Sequence, residues 1–201
     1  MTVKDFSLQL KTETKKSHTA AENSKFVTSF LRGVLDPEEY RRLIAQFYFV
    51  YSTMERCIKE SEDLNVKVIN YPELERVEAL SKDLEYYYGP KWKDLITPTS
   101  ACSTYCFRIE EVAKQDPYLL VAHHYTRYIG DLSGGQILKK IAEKALKPPV
   151  GKGLEFYDFE EIDDAKVWKN GYRSVIDEMG FTESQKNAII TEANYAFRLN
   201  M

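Results

Sequence analysis

Asp36-Pro37-Glu38-Glu39-Tyr40-Arg41-Arg42-Leu43-Ile44-Ala45-Gln46-Phe47-Tyr48-Phe49-Val50-Tyr51-Ser52-Thr53-Met54-Glu55-Arg56-Cys57-Ile58 reads as one long amphipathic helix. Asp36 supplies an N-cap acceptor, Pro37 occupies the first helical position, and Glu38 and Glu39 meet the positive end of the helix dipole. Behind them Tyr40, Leu43, Ile44, Phe47, Tyr51, Met54 and Ile58 recur at steps of three and four, which gives a wide apolar face. The same period continues outward in both directions. Thr182-Glu183-Ser184-Gln185 has capping-box spacing and opens a last helix carrying Ile189, Ile190, Ala193 and Phe197. Further helices are expected over Lys4 to Glu22, Pro72 to Tyr87, Ser100 to Lys114, Tyr118 to Leu146 and Asp163 to Met179. Gly89-Pro90, Pro98, Pro117, Pro148-Pro149 and Gly180 separate them. No segment alternates like a strand and nothing repeats, so the expectation is an all-α, single-domain multi-helix bundle over residues 1–201.

Composition limits the function classes. The 201 residues are 43% apolar and 29% charged, as in a folded globular chain. With 28 basic and 31 acidic residues the net charge is −3, which gives no reason to expect nucleic acid as the main partner. The longest uncharged apolar run, Leu43 to Met54, is too short to cross a bilayer. Three cysteines do not make a disulfide framework and suit a reducing compartment, so a cytoplasmic location is expected.

Three features ask for a chemical reason. Gly130, Gly134 and Gly135 lie inside a segment that is otherwise helical. Each costs about 1 kcal/mol relative to Ala, so the three together cost about 3 kcal/mol. Gly130 and Gly134, one turn apart, would strip side chains from one face, let a flat group approach the backbone, and permit a bend. Close helix–helix packing is the competing account, and a phosphate loop is excluded by the spacing and the lack of a preceding strand.

The second feature is histidine. There are three, His18, His123 and His124. At 100° per residue, Lys11, Lys15, His18 and Glu22 fall within about 60° on one helix face. An imidazole flanked by cations, with a carboxylate one turn on, fits a single metal ligand beside acidic groups of the same cofactor; a solvated helix face fits as well. One protein ligand suits haem iron, whereas structural zinc wants four, and a di-iron bundle would need Glu-x-x-His pairs that this chain lacks.

The third is a polar cluster at core-like positions: Tyr125, Arg127, Tyr128 and Asp131, with Tyr51 and Tyr105 on other helices. Arg127 and Asp131 are one turn apart and could form an ordinary helical ion pair; beside a glycine wall, Asp131 could instead position water over a ligand. Cys102 and Cys106, also a turn apart, read as packing thiols.

The stretch Leu120-Val121-Ala122-His123-His124-Tyr125-Thr126-Arg127-Tyr128-Ile129-Gly130-Asp131-Leu132-Ser133-Gly134-Gly135-Gln136 resembles the signature of the haem oxygenases. Thr14-Lys15-Lys16-Ser17-His18-Thr19-Ala20-Ala21-Glu22-Asn23 resembles the family's proximal-ligand helix. Tyr86-Tyr87-Tyr88-Gly89-Pro90-Lys91-Trp92, Tyr172-Arg173 and Ala196-Phe197-Arg198-Leu199-Asn200 are similar in turn, so the resemblance runs along nearly the whole chain. Phe47-Tyr48-Phe49-Val50-Tyr51-Ser52 and Ile162-Asp163-Asp164 lean towards the cyanobacterial, ferredoxin-driven branch.

The resemblance implies an all-α fold with haem, both cofactor and substrate, held between a proximal helix and a kinked distal helix. It implies His18 as the axial iron ligand, Glu22 as a residue orienting it, and Gly130 and Gly134, followed by Gly135, against the distal haem face. Lys11, Lys15, Tyr125, Lys169 and Arg173 match positions that contact or steer the propionates. Tyr51, Tyr105, Arg127, Asp131 and Asn200 match a distal hydrogen-bonded network, and Phe197 a pocket wall; His123 and His124 are expected to be structural. The family's last helix usually runs past Met201, which implies further pocket residues and looser haem retention without them. The implied reaction consumes dioxygen and reducing equivalents and yields biliverdin (the IX-alpha isomer), carbon monoxide and ferrous iron, as in phycobilin biosynthesis. The implied partners are ferredoxin as electron donor, docking on Lys11, Lys15, Lys16, Lys139, Lys140 and Arg173, and a downstream bilin reductase. A haem carrier or sensor on the same fold, and a helical interaction module without cofactor, are the alternatives.

Overall fold

Asp36 performs the capping that its position suggests: its carboxylate accepts from the backbone N–H groups of Glu38 (2.7 Å) and Glu39 (3.3 Å), and the helix α3 runs from Pro37–Glu60. In the computed structural model, which describes residues 5–201, this helix is the central strut. Tyr40, Ile44, Tyr51 and Met54 are fully buried against α5 (Val77–Tyr88) and α6 (Ser100–Gln115). Leu43 and Phe47, from the same apolar stripe, stay half-buried because they face an open cleft rather than a neighbouring helix.

The remaining elements are α1 (Phe6–Glu22), α2 (Lys25–Leu31), α4 (Leu64–Val68), α7 (Leu120–His124), α8 (Gln136–Leu146), α9 (Ala165–Glu178) and α10 (Glu183–Leu199). There is no strand among the described residues. Lys4, expected in the first helix, lies outside the described residues. Two short helices were not expected. α2 is capped by the Ser24 hydroxyl, which accepts from Val27 N, and α4 by the Asp63 carboxylate. Each is too short for its period to stand out from two turns of sequence. The expected helix from Pro72 also divides: a single 3₁₀ turn at Pro72–Leu74 precedes α5. The break falls at Arg76, whose N–H is given to the buried Glu55 carboxylate (2.6 Å) and whose guanidinium turns inward to the carbonyls of Leu74 and Phe156.

α1 is fixed at both ends of its buried side. Asp177 of α9 accepts from the Ser7 N–H and hydroxyl, and Ser17 donates to Asn194 of α10 at 2.5 Å. The last helix has the full capping box expected for it, with Thr182 and Gln185 exchanging side-chain and backbone hydrogen bonds.

Between α7 and α8 the chain stays helical but widens into two π turns, Tyr125–Ile129 and Asp131–Gly135, joined at Gly130. The expected bend therefore takes the form of i→i+5 winding, a device concentrated at functional sites. Gly130 has ordinary helical angles (φ −63°, ψ −47°), so space rather than backbone freedom accounts for glycine there.

Candidate active site

α1, α2, α3, the π-wound helix and α10 enclose a cleft of about 300 Å³. Its apolar wall comes from Phe26 and Phe30 of α2, Leu43 and Phe47 of α3, Phe156, and Phe197 of α10. His18, Glu22, Arg127, Gly130, Asp131, Gly134, Gly135 and Asn200 complete the lining, so residues more than 180 positions apart in the chain share one cavity.

His18 is half exposed into this space. Its Nδ1 lies 3.5 Å from a Glu22 carboxylate oxygen, and Phe197 meets the ring edge-on with centroids 5.5 Å apart. Nε2 carries no hydrogen bond among the described residues. A carboxylate beside Nδ1 favours the proton on that nitrogen and the lone pair on Nε2. A Cβ at Gly130 or Gly134 would meet nothing within 4 Å, so both glycines present bare backbone to open space. Gly135 differs: a Cβ there would sit 3.6–3.8 Å from Gly130 O, Tyr157 Cδ1 and Asp131 Cβ, in ordinary contact. It packs the helix onto the Phe156–Tyr157 turn.

The polar cluster assembles differently from a helical ion pair. Arg127 does not bridge Asp131. Its Nε donates to the Tyr51 oxygen (3.0 Å), and Tyr51 O–H donates in turn to Asp131 Oδ2. Arg127 also donates to Asn200 Oδ1 at 2.6 Å, and the Tyr105 hydroxyl bonds Asn200. Tyr51 and Tyr105 are buried, and desolvation pushes both phenols up, so they remain protonated donors. Burial pushes the Asp131 carboxyl up, opposed by the Arg127 charge, the Tyr51 hydrogen bond and the Arg76 charge. Asp131 Oδ1 has no hydrogen-bond partner among the described residues.

The other site candidates fall outside the lining. Tyr125 is buried and bonds Thr14, next to Lys15, with Arg173 near its hydroxyl. Lys169 donates to Leu132 O (3.0 Å) and Ser133 Oγ (2.8 Å). Lys11 and Lys15 are exposed on α1. Four of these are cations on α1 and α9, with the buried Tyr125 of the π-wound helix beside them, and none lines the cleft. Of the expected docking lysines, Lys139 is engaged with Asp158 and Glu143 and drops out of that set. His123 and His124 are fully buried, as expected of structural residues: His123 Nε2 pairs with Glu192 at 2.9 Å, and His124 Nδ1 meets Tyr172 OH at 2.8 Å. Desolvation pushes His124 down to about 3, so it stays neutral.

Sequence reasoning missed the α2 aromatics and the Phe156–Tyr157 turn. Ser24 before Phe26-Val27 and Phe30-Leu31 is a cap-and-stripe signal for the first. The turn has no local signal at all. It is held in place by Asp83 of α5, whose carboxylate accepts from Glu155 N (2.9 Å) and Phe156 N (2.8 Å).

Beneath the network lies Glu55, which accepts from Arg76 N and, at 3.3 Å, from Tyr128 OH, both through Oε1. Burial raises it to about 7. Between its ordinary value of 4.5 and about 7 the folded chain keeps a proton that the unfolded chain has lost. Stability therefore declines as pH rises through that window. Glu55→Gln retains the Oε1 acceptor and removes the charge. Denaturant titrations across the window are expected to show a flatter profile for the variant and a gain on the order of 2 kcal/mol above it.

The family model described as Heme oxygenase matches residues 4–201. A heme oxygenase of Porphyra purpurea is 49% identical over 200 residues, covering 99% of this chain and 85% of the relative. Heme oxygenase 1 of a Nostoc species is 47% identical over 194 residues, covering 96% and 82%. Among solved structures, the heme oxygenase-2 of a Synechocystis species in complex with heme and NO superposes with a TM-score of 0.96 at 40% identity, covering 98% of this chain and 82% of that one. The heme oxygenase-1 of the same genus, in complex with heme, gives 0.94 at 44% identity, with 98% and 89% covered. With a family model matching nearly the whole chain and relatives close to half identical over it, the chain belongs to the haem oxygenase family.

Proposed function

We propose that this chain is a haem oxygenase acting as a single domain in the cytoplasm, cleaving haem to biliverdin IX-alpha, carbon monoxide and ferrous iron. The observation that carries the reading is the composition of the cleft. One histidine with a free Nε2 shares it with two glycines whose Cβ positions are open and an aspartate with one uncommitted oxygen. A planar, mostly apolar group with a single open axial demand fits that set; a solvated metal ion, wanting several protein donors, does not. No group of three or more His, Cys, Asp or Glu side chains gathers to hold a metal among the described residues.

When bound, haem supplies both the ring that is cleaved and the iron at which dioxygen is activated. His18 would hold the iron through Nε2, with Glu22 beside Nδ1 orienting the ring. Gly130 and Gly134 allow the ring to lie against backbone, and Phe197 closes the side next to His18. Asp131 is assigned to hold water at Oδ1, since Tyr51 occupies Oδ2. Arg127 donates into the Tyr51 oxygen, which polarises the Tyr51 O–H towards Asp131 and keeps the carboxylate from swinging away. Asn200, steadied by Tyr105, fixes Arg127. Such a chain can hold and return a proton beside the reacting ring while the apolar wall excludes bulk water. Lys11, Lys15, Lys169, Arg173 and Tyr125 are assigned to the carboxylates of the substrate, at the α1–α9 edge.

Hemin added to the purified chain with a reductant under air tests the whole reading. The Soret band should decay as bilin absorbance and carbon monoxide rise; a stable Soret band under turnover conditions would leave only the carrier reading. That alternative explains His18 but gives no role to the Tyr51–Asp131 pair.

Electrons must arrive from a partner. Lys11, Lys15, Lys16 and Lys140 are exposed and take no ion pair among the described residues, which suits an acidic donor such as ferredoxin. Steering of this kind is screened by salt, so the second-order rate with ferredoxin is expected to fall roughly tenfold from low ionic strength to about 0.5 M. Stopped-flow reduction measures this; a rate indifferent to salt would remove the basic face from consideration. A bilin reductase is proposed as the consumer of the product.

A further inference from the structure

The chemistry at the cleft uses Tyr51 but not the column of rings behind it. Tyr51 stands directly behind the lining residues Asp131 and Arg127 and bonds both. From its ring an unbroken line of contacts leaves the cleft. Tyr51 meets Tyr128 edge-on with centroids 5.6 Å apart, and Tyr128 meets His124 at 4.6 Å. His124 stacks on Tyr172 at 5.4 Å, and Tyr172 stacks on Trp168 at 5.5 Å. The first four rings are buried, whereas Trp168, on α9, is partly exposed. The column therefore begins at the cleft and ends at solvent.

Core packing accounts for touching rings, but not for a second pattern: each oxidisable member has its own proton acceptor. Tyr51 O–H donates to Asp131, Tyr128 O–H to Glu55 Oε1 (3.3 Å), and Trp168 Nε1–H to Glu73 Oε1 (3.1 Å). The Tyr172 hydroxyl meets His124 Nδ1 at 2.8 Å. The His124 ring also bonds the Ile69 backbone and burial keeps it neutral, so Nδ1 is left to accept. Removing an electron from a phenol or an indole makes its O–H or N–H strongly acidic, and an unpaired cation in the core is costly. With a base already hydrogen-bonded, the proton crosses as the electron leaves, and no ring cation has to persist. Tyr71 is the contrast. It touches Trp168 at 5.1 Å, yet its hydroxyl has no acceptor among the described residues.

We propose that Tyr51, Tyr128, Tyr172 and Trp168 form a one-electron relay that carries oxidising equivalents from the haem cleft to the surface of α9 when hydrogen peroxide reacts there. Peroxide is the two-electron reduction product of dioxygen, and its reduction to two waters draws two electrons out through the column, one at a time. In each passage Tyr51 gives an electron to the cleft and its proton to Asp131. Tyr128 refills Tyr51 and leaves its proton on Glu55. Tyr172 refills Tyr128 across the His124 ring and leaves its proton on Nδ1. Trp168 refills Tyr172 and leaves its Nε1 proton on Glu73. Each proton returns as its ring is reduced again. A hydrogen-atom donor in solvent, such as ascorbate, restores Trp168, and two such donors per peroxide supply the two electrons and, through solvent, the two protons that two waters require. Such a route would divert oxidation that would otherwise damage the cleft walls, a way of excluding competing reactions. It rests on the haem reading of the cleft but not on cleavage of the ring.

The test is addition of one equivalent of hydrogen peroxide to the haem-loaded chain with a nitroso spin trap, followed by peptide mapping by mass spectrometry. The trap is expected on Trp168. Tyr172→Phe keeps the stack but removes the O–H, and is expected to lower the Trp168 adduct several-fold; Tyr71→Phe is expected to leave it unaltered. In Trp168→Phe, rapid-freeze EPR is expected to show a tyrosyl signal in place of the indole one. Ascorbate present beforehand should suppress the wild-type adduct. A Trp168 adduct indifferent to Tyr172→Phe would overturn the relay. So would trapping on Trp92 instead, since that ring pairs with Tyr48 and joins no ring of the column. A chain that takes up no haem, and so shows no Soret band on loading, fails both the relay and the reading of the cleft; a loaded chain that fails the Tyr172 comparison fails the relay alone.

Discussion

Asp131→Ala is expected to bind haem within a few-fold of wild type yet to lose biliverdin formation by roughly 10²-fold or more, the range of a positioned acid–base group. The side chain contributes little apolar contact to the cleft, so its loss barely alters the fit of a flat ligand. What disappears is the acceptor of the Tyr51 O–H and a carboxylate oxygen that has no hydrogen-bond partner among the described residues. Asp131→Asn separates the two roles. It can keep a Tyr51 hydrogen bond through its amide oxygen but offers an NH₂ where Oδ1 was, so it should bind haem normally and still turn over poorly. Hemin titration followed by single-turnover spectroscopy measures both quantities. Biliverdin formation at the wild-type rate in either variant would remove Asp131 from the reaction.

His18→Ala has the second large effect. The ferric spectrum of the complex is expected to lose its imidazole-ligated form, and turnover is expected to fall by a hundredfold or more. Outer-sphere partners alone are worth 10–100-fold at metal sites, and His18 is assigned to the iron itself. Because the side chain is half exposed, its removal leaves an opening to solvent, and added imidazole should restore part of the spectrum and of the rate. A ferric spectrum unchanged by the substitution would place the ligand elsewhere. Glu22→Gln then serves as the graded comparison: it keeps an acceptor for Nδ1–H without the charge, and a smaller loss is expected.

The two substitutions sit on opposite walls and report different physics, ligation on one side and proton handling on the other. If both behave as expected while the wild type consumes haem, the division of labour across the cleft is established without reference to relatives.

Much of this was written locally. The period of three and four from Tyr40 to Ile58, the caps at Asp36 and Thr182, and the cost of glycines inside a helical stretch are all consequences of backbone geometry within a few turns, and each appears in the structure as read. The one-face grouping of His18 with Glu22 is of the same kind and survives as a direct contact. Other features needed the tertiary fold. Arg127 and Asp131 sit at ion-pair spacing, yet Tyr51, 80 positions from Asp131, comes between them, because α3 crosses the π-wound helix at that level. Residues Phe26 and Phe30 share a cleft wall with Leu43 and Phe47 only once the helices are assembled. Phe156 is held there by Asp83, a carboxylate 73 positions earlier whose role no spacing rule discloses. Helical period is a property of neighbours along the chain, so the sequence alone determined the elements, their inward faces and the unusual glycines. Which polar group meets which across helices is decided by where buried donors find acceptors when those faces close, and only the assembled bundle decides that.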